Sequence, residues 1–216
     1  MYTRPDVAFP EYRDDAGAVI PYGLRRSLDG WPPDDAYSVT SHPERFEVMW
    51  TVARAIVDHL VATYDAVVID GADPSVGRAQ GEHLREARPS SDGEPSPVRR
   101  LEPRGPGVPL TVIESAAPGV QMLAGASLEV LAPVCACDAC DDSAEELADY
   151  LEEFAFAVAA GEAWEAIDSG GVRHGLTLPG HGASGGWTRK SFSQRRELRA
   201  LMRERPPFAP WPLRAA

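Results

Sequence analysis

All three cysteines of the chain fall within one short stretch, Cys135-Ala136-Cys137-Asp138-Ala139-Cys140. Thiols this close can hold a metal ion, exchange electrons as a dithiol, or sit in a turn as small hydrophobes with no chemistry. Thiolates are soft ligands suited to Zn²⁺, which wants four donors in a tetrahedron, and Cys-x-x-Cys wraps one ion readily. The spacing supplies three donors, so a fourth must come from elsewhere. The candidates are His174, His181 and His42, or the nearby carboxylates Asp138 and Asp141. The metal set taken forward is Cys135, Cys137, Cys140 and His174, with Zn²⁺ as the cofactor. Asp138, Asp141 and Asp142 act in both directions: they oppose thiolate formation in the metal-free protein and favour a bound dication.

The dithiol alternative uses Cys137 and Cys140, which approach a helix start where the dipole lowers a thiol pKa. The flanking acids push the other way, and no βαβ unit surrounds the motif as a thioredoxin-like fold requires. An odd number of cysteines with no apolar leader segment argues against a disulfide framework.

Other motifs carry less. Gly180-His181-Gly182-Ala183-Ser184-Gly185-Gly186 matches both Gly-x-Gly-x-x-Gly and Gly-x-Ser-x-Gly. The first needs a strand before it, a helix directly after it and a further strand; the second needs a histidine later in the chain, and none follows Ser184. A flexible connection anchored by Trp187 is the expected reading. No Ser-His-Asp or paired-carboxylate arrangement stands out, so the chain leans towards a non-enzymatic role.

The charge layout narrows the partners. Net charge is −12; residues 105–172 contain thirteen acids and no Arg, Lys or His, whereas residues 189–216 carry eight basic residues against Glu197 and Glu204. An acidic protein repels nucleic-acid phosphates, so no nucleic-acid function is expected. Glu145, Asp149, Glu152 and Glu153 share one side of a helix, which could receive a basic protein partner or the chain's own Arg196, Arg199 and Arg203. No apolar run approaches a membrane span of about 20 residues. The expected location is the cytoplasm, and nothing here sets an oligomeric state.

Leu, Ile, Val and Phe make up 45 of 216 residues, enough for a core but not a lavish one. Ser41-His42-Pro43-Glu44 fits a capping box ahead of an apolar face formed by Phe46, Met49, Ala53, Ile56 and Leu60, which predicts a helix over 43–63. A second box, Ser143-Ala144-Glu145-Glu146, opens a helix over 143–160 that stops at Gly161. Between them, short strands are expected at 64–69, 98–101, 110–114, 120–124 and 128–131, with another at 164–167 and a short helix from Ser193 to about Arg203. The order is that of an α+β fold, a mainly antiparallel sheet covered on one face by the two long helices. The expected organisation is an irregular arm over 1–20, one domain over 20–188 with a mobile insert at 73–97, and a basic helix with a Pro-rich tail over 189–216.

Pro32-Pro33-Asp34-Asp35-Ala36-Tyr37-Ser38, Pro43-Glu44-Arg45-Phe46, Tyr64-Asp65 and Pro133-Val134-Cys135-Ala136-Cys137-Asp138-Ala139-Cys140-Asp141 together resemble an uncharacterised bacterial family of unknown function. The resemblance spans about residues 21–188 and implies no activity. Glycine is common in that family where Ala136 stands here, so a turn needing positive φ would be strained at this position.

Overall fold

The computed structural model describes residues 1–25, 32, 34–79, 83–89, 97–178 and 182–215. Helices and antiparallel sheets build an α+β architecture. After a small N-terminal hairpin, β1 (Tyr12–Arg13) and β2 (Val19–Ile20), helix α1 runs over Val48–Thr63. Strands β3 (Ala66–Asp70), β4 (Val98–Pro103), β5 (Leu110–Glu114), β6 (Val120–Ala124) and β7 (Leu128–Ala132) follow and pair in chain order as an antiparallel meander. Helix α2 (Ala144–Ala160) then packs beside α1 on the same face of the sheet.

Alternation along the strands explains why β5 and β6 are buried throughout. Leu110 and Val112 point to the helices and join Met49, Ile56, Leu60, Leu147, Leu151 and Val158 in the main core. Ile113 and Leu123 point to the other face, where Leu84 and Ala87 cover them. Those covering residues belong to the stretch between β3 and β4. There Arg88 N donates to Glu114 O at 2.8 Å and Ala116 N donates to Glu86 O at 2.8 Å.

The capping box at α2 forms as expected. Ser143 Oγ accepts from Glu146 N at 3.1 Å, and Glu146 Oε2 accepts from Ser143 N at 3.0 Å. The one expected at Ser41 does not. A 3₁₀ turn over Pro43–Glu47 precedes α1, its N-cap is His42, and no side chain caps it. Ser41 Oγ instead donates to Asp138 Oδ2 at 2.6 Å, because a buried carboxylate is the stronger acceptor.

A second sheet lies beyond the expected meander. Strands β8 (Ala163–Ile167), β9 (Gly171–Leu178) and β10 (Gly182–Arg189) pair antiparallel in the order β10-β9-β8. The glycine-rich stretch read as a flexible connection is therefore strand over 182–189, while 179–181 lie outside the described residues. Its glycines have a packing reason: the Trp164 indole covers Gly175, where an added Cβ would stand 2.9 Å from the ring.

Helix α3 (Phe192–Glu204) starts with a capping box between Ser191 and Gln194 and buries Leu198 against Ala79, Ala126 and Val172. The tail after α3 returns to the core. Trp211 is 2% exposed, its indole N–H donates to Val108 O at 3.0 Å, and its backbone N–H donates to Ala159 O at 2.8 Å. Gly161, at φ 75°, both ends α2 and lets Pro210 pass close by, since an added Cβ would stand 2.5 Å from Pro210 N. Among the described residues no helix is long and apolar enough to cross a membrane.

The acidic face of α2 is met by the N-terminal arm, not by α3. Arg4 donates to Glu152 through Nε at 2.7 Å and also pairs with Asp149, while Tyr2 Oη donates to Glu152 at 2.8 Å. Arg196, Arg199 and Arg203 stay exposed on α3, which docks through Leu198 on its opposite side.

Candidate metal centre

The sequence between β7 and the Ser143 cap is too short and too polar to extend either element, so it folds as a tight loop. Cys140 N donates to Cys137 O at 3.2 Å, and Cys137 N donates to Cys135 Sγ at 3.4 Å. These turns bring all three sulfurs within 4.8 Å of one another, with Cys137 Sγ and Cys140 Sγ 3.4 Å apart. A tetrahedral zinc with Zn–S bonds of about 2.3 Å needs sulfurs about 3.8 Å apart, so small adjustments would close the set on one ion. Cys137 is buried, Cys140 half-buried and Cys135 exposed. One side of the cluster therefore faces solvent.

The three thiols are electrostatically unequal. Hydrogen bonding from Cys135 outweighs the opposing effect of burial and, with Cys140, brings the Cys137 thiol down to about 7. Burial, then the hydrogen bond to Cys137, pushes Cys140 up to about 12. Of these two sulfurs Cys137 ionises first and Cys140 keeps its proton.

Neither neighbouring carboxylate belongs to the donor group. Asp138, 6% exposed, accepts from Ser41 Oγ and lies 3.5 Å from the Arg45 guanidinium; Asp141, 3% exposed, accepts from Gly23 N at 2.9 Å, Arg25 N at 2.6 Å and Arg25 Nε at 3.0 Å. Both tie the loop to Gly23, Arg25, Ser41 and Arg45. Asp141 adopts φ 46°, a left-handed conformation that aspartate tolerates better than most residues. Ala136 is not among the positive-φ residues, so the turn does not require the glycine common at this position.

The same clamp brings cations to the sulfurs. Arg45, buried beside the loop, donates to Ala136 O at 3.3 Å, and Arg85 donates to Val134 O at 3.1 Å. Burial lowers the pKa of both guanidiniums, and the field of Cys135 partly restores that of Arg85. Arg25 donates to Asp138 O at 2.9 Å. Their positive charge offsets the negative charge that thiolates and carboxylates concentrate here.

Of the histidines proposed as fourth ligands, His174 and His42 are not in the thiol group. His174 is on β9, opposite Glu165 and Gly186, with its ring packed over Gly186; it is not in the thiol group. The zigzag of β9 and the glycines of β10 fix its ring against the second sheet. His42 stacks on Tyr12 with ring centroids 4.1 Å apart and pairs with Glu44 at 3.0 Å. His181 lies outside the described residues. Sequence reasoning missed Arg25, Ser41, Arg45 and Arg85 as loop contacts. One signal was present: the Pro43-Glu44-Arg45-Phe46 block and the cysteine block, noted as co-occurring, lie against each other through Arg45 and Asp138.

Meander, paired helices and thiol loop together define an α+β protein with three cysteines placed where they could hold a metal ion. Over residues 8–215 the chain matches the model of a family of unknown function, DUF6226, and it belongs to that family. The match takes in the N-terminal arm from residue 8 and the tail that carries Trp211, both beyond the span of the motif blocks. No curated protein and no solved structure matches it.

Proposed function

We propose that this chain is a non-enzymatic protein whose loop holds one Zn²⁺ through Cys135, Cys137 and Cys140. The observation that carries the reading is the convergence of three sulfurs within 4.8 Å in a loop braced by buried salt bridges. Three thiolates suit zinc better than a hard cation such as Mg²⁺ or Ca²⁺, and the exposed side at Cys135 leaves room for water as the fourth donor. His174 packs over Gly186 in the second sheet and is not in the thiol group, so it has the least support in the set read from the sequence. Three reduced thiols also fit a reducing compartment such as the cytoplasm. The test is elemental analysis of full-length protein purified without chelator. Stoichiometric zinc that falls sharply in each Cys→Ser variant supports the reading; trace metal unchanged by those variants removes it.

The 3.4 Å approach of Cys137 to Cys140, with one acidic and one basic thiol, favours a second reading as a dithiol that closes and reopens. Turnover of a small disulfide, lost in Cys137→Ser, would support it. An inert metal-free protein would dispose of it. A basic protein partner on α2 has less support, because Arg4 and Tyr2 already engage two of the four acids and only Glu145 and Glu153 are left beside them.

A further inference from the structure

On the helix-facing side of the sheet, away from the thiol loop, lies a cavity of about 530 Å³ between α1, β3 and β4. Its chemistry comes from strand parity. Val68 and Asp70 of β3, Arg99 of β4 and Glu114 of β5 all project to that side, because their register partners place them in line. Helix α1 adds Arg54, Val57 and Val61 from above. The chain end adds Arg214, held in place by its backbone N–H to Thr63 O at 3.0 Å.

Glu114, 1% exposed, is the floor of the cavity. Its Oε1 accepts from Arg54 Nε at 2.9 Å and Arg99 at 2.9 Å; its Oε2 accepts from Arg54 at 2.8 Å and Arg88 Nε at 2.7 Å. Each oxygen is thus saturated. One bidentate arginine is enough to satisfy a buried carboxylate. Three leave the cluster with more positive than negative charge. Arg88 is additionally fixed by stacking 4.9 Å from the Trp50 ring. Arg214 has no side-chain hydrogen-bond partner among the described residues. The rim acids Asp58 and Asp70 form no ion pair with these arginines. Among the described lining residues the arginines Arg54, Arg88, Arg99 and Arg214 outnumber the acids Glu114, Asp58 and Asp70, in a chain whose total charge is −12.

We propose that this cavity binds a small organic carboxylate, its oxygens on Arg88, Arg99 and Arg214 and its apolar body against Val57, Val61 and Val68. Guanidiniums recognise a carboxylate through paired N–H donors, Arg88 and Arg99 being held in place by Glu114, and the valines supply the apolar wall common to small-molecule pockets of this size. Inorganic phosphate has no apolar body to set against the valine wall, so it should bind more weakly than a carboxylate that carries one. Nothing in this proposal depends on the thiol loop.

The test is calorimetric titration of the full chain with three probes: phenylacetate, benzyl alcohol as its uncharged counterpart, and inorganic phosphate. Saturable binding of phenylacetate, with none of the alcohol and weaker binding of phosphate, is expected. Arg214→Gln should weaken phenylacetate by about tenfold or more, the worth of a lost charge-assisted hydrogen bond, while leaving the unliganded melting temperature unchanged. Arg99→Gln should weaken it similarly. No saturable heat with phenylacetate, undiminished binding in a folded Arg214→Gln, or preference for phosphate would each overturn the assignment.

Discussion

Arg25 binds Asp141 twice, through its backbone N–H at 2.6 Å and its Nε at 3.0 Å, so two residues 116 positions apart lock the N-terminal segment to the thiol loop. The Asp141 side chain is wholly buried and that of Arg25 is 11% exposed. Removing either partner takes an ion-pair and hydrogen-bond partner from a buried charge.

Asp141→Ala should therefore cost about 3 kcal/mol in urea denaturation. It should also speed the reaction of Cys140 with a thiol reagent, since the clamp that closes the loop is gone. A variant as stable and as unreactive as the parent would show that the clamp does not hold the loop.

Chelation tests the metal in a second way. An ion that binds only the folded chain stabilises it by mass action, about 2.7 kcal/mol when free metal exceeds its dissociation constant a hundredfold. Stripping zinc should lower the melting temperature by about 5–10 °C in a chain of this size. The same treatment of Cys137→Ser should change nothing.

Acid stability should report on Glu114. Burial alone would raise its pKa, but the hydrogen bonds and charges of Arg54 and Arg88 outweigh that and hold it below the usual carboxylate range. A carboxyl whose pKa is lower folded than unfolded contributes its stability above the unfolded value and loses it as pH falls through the folded one. Glu114→Gln should cost about 3 kcal/mol at neutral pH, because three guanidiniums lose their shared partner. The gap to the parent should shrink below about pH 4, near and under the unfolded carboxyl value, as measured by denaturation across pH.

Trp211→Ala should cost about 3–5 kcal/mol, as expected when a large buried ring is removed and a cavity left. Circular dichroism melts of this variant, beside Leu213→Ala at a 71% exposed site, separate a core tail from a loose one. Equal melting temperatures would place Trp211 outside the energetic core.

Much of the architecture was legible because it is written in short-range patterns. The Ser143 box, the 3.6-residue apolar rhythm of α2 and the β-branched runs of β3 to β7 depend only on neighbours in the chain, so they were readable residue by residue. The hairpin β9–β10 was not. Glycine at 171, 175, 182, 185 and 186 erases the alternation that marks a strand, and only tertiary contacts show why glycine is needed: Trp164 over Gly175 and Gly185, Trp187 and Thr188 against Gly171, and His174 against Gly186. The Ser41 box failed for a related reason: local spacing cannot reveal that Asp138 would compete for the hydroxyl.

Sequence alone put three thiols within six residues, where an extended loop would still set the outer two about 17 Å apart, and placed two capped or punctuated helices around a meander. Tertiary structure decided what surrounds them. It gave Asp138 to Ser41 and Arg45 and Asp141 to Gly23 and Arg25, sent His174 to another sheet, and gathered Arg54, Arg88, Arg99 and Glu114 from four separate segments. Local propensity acts over a few residues, whereas the partner of a buried charge is chosen by whichever distant element the packing of the core brings beside it.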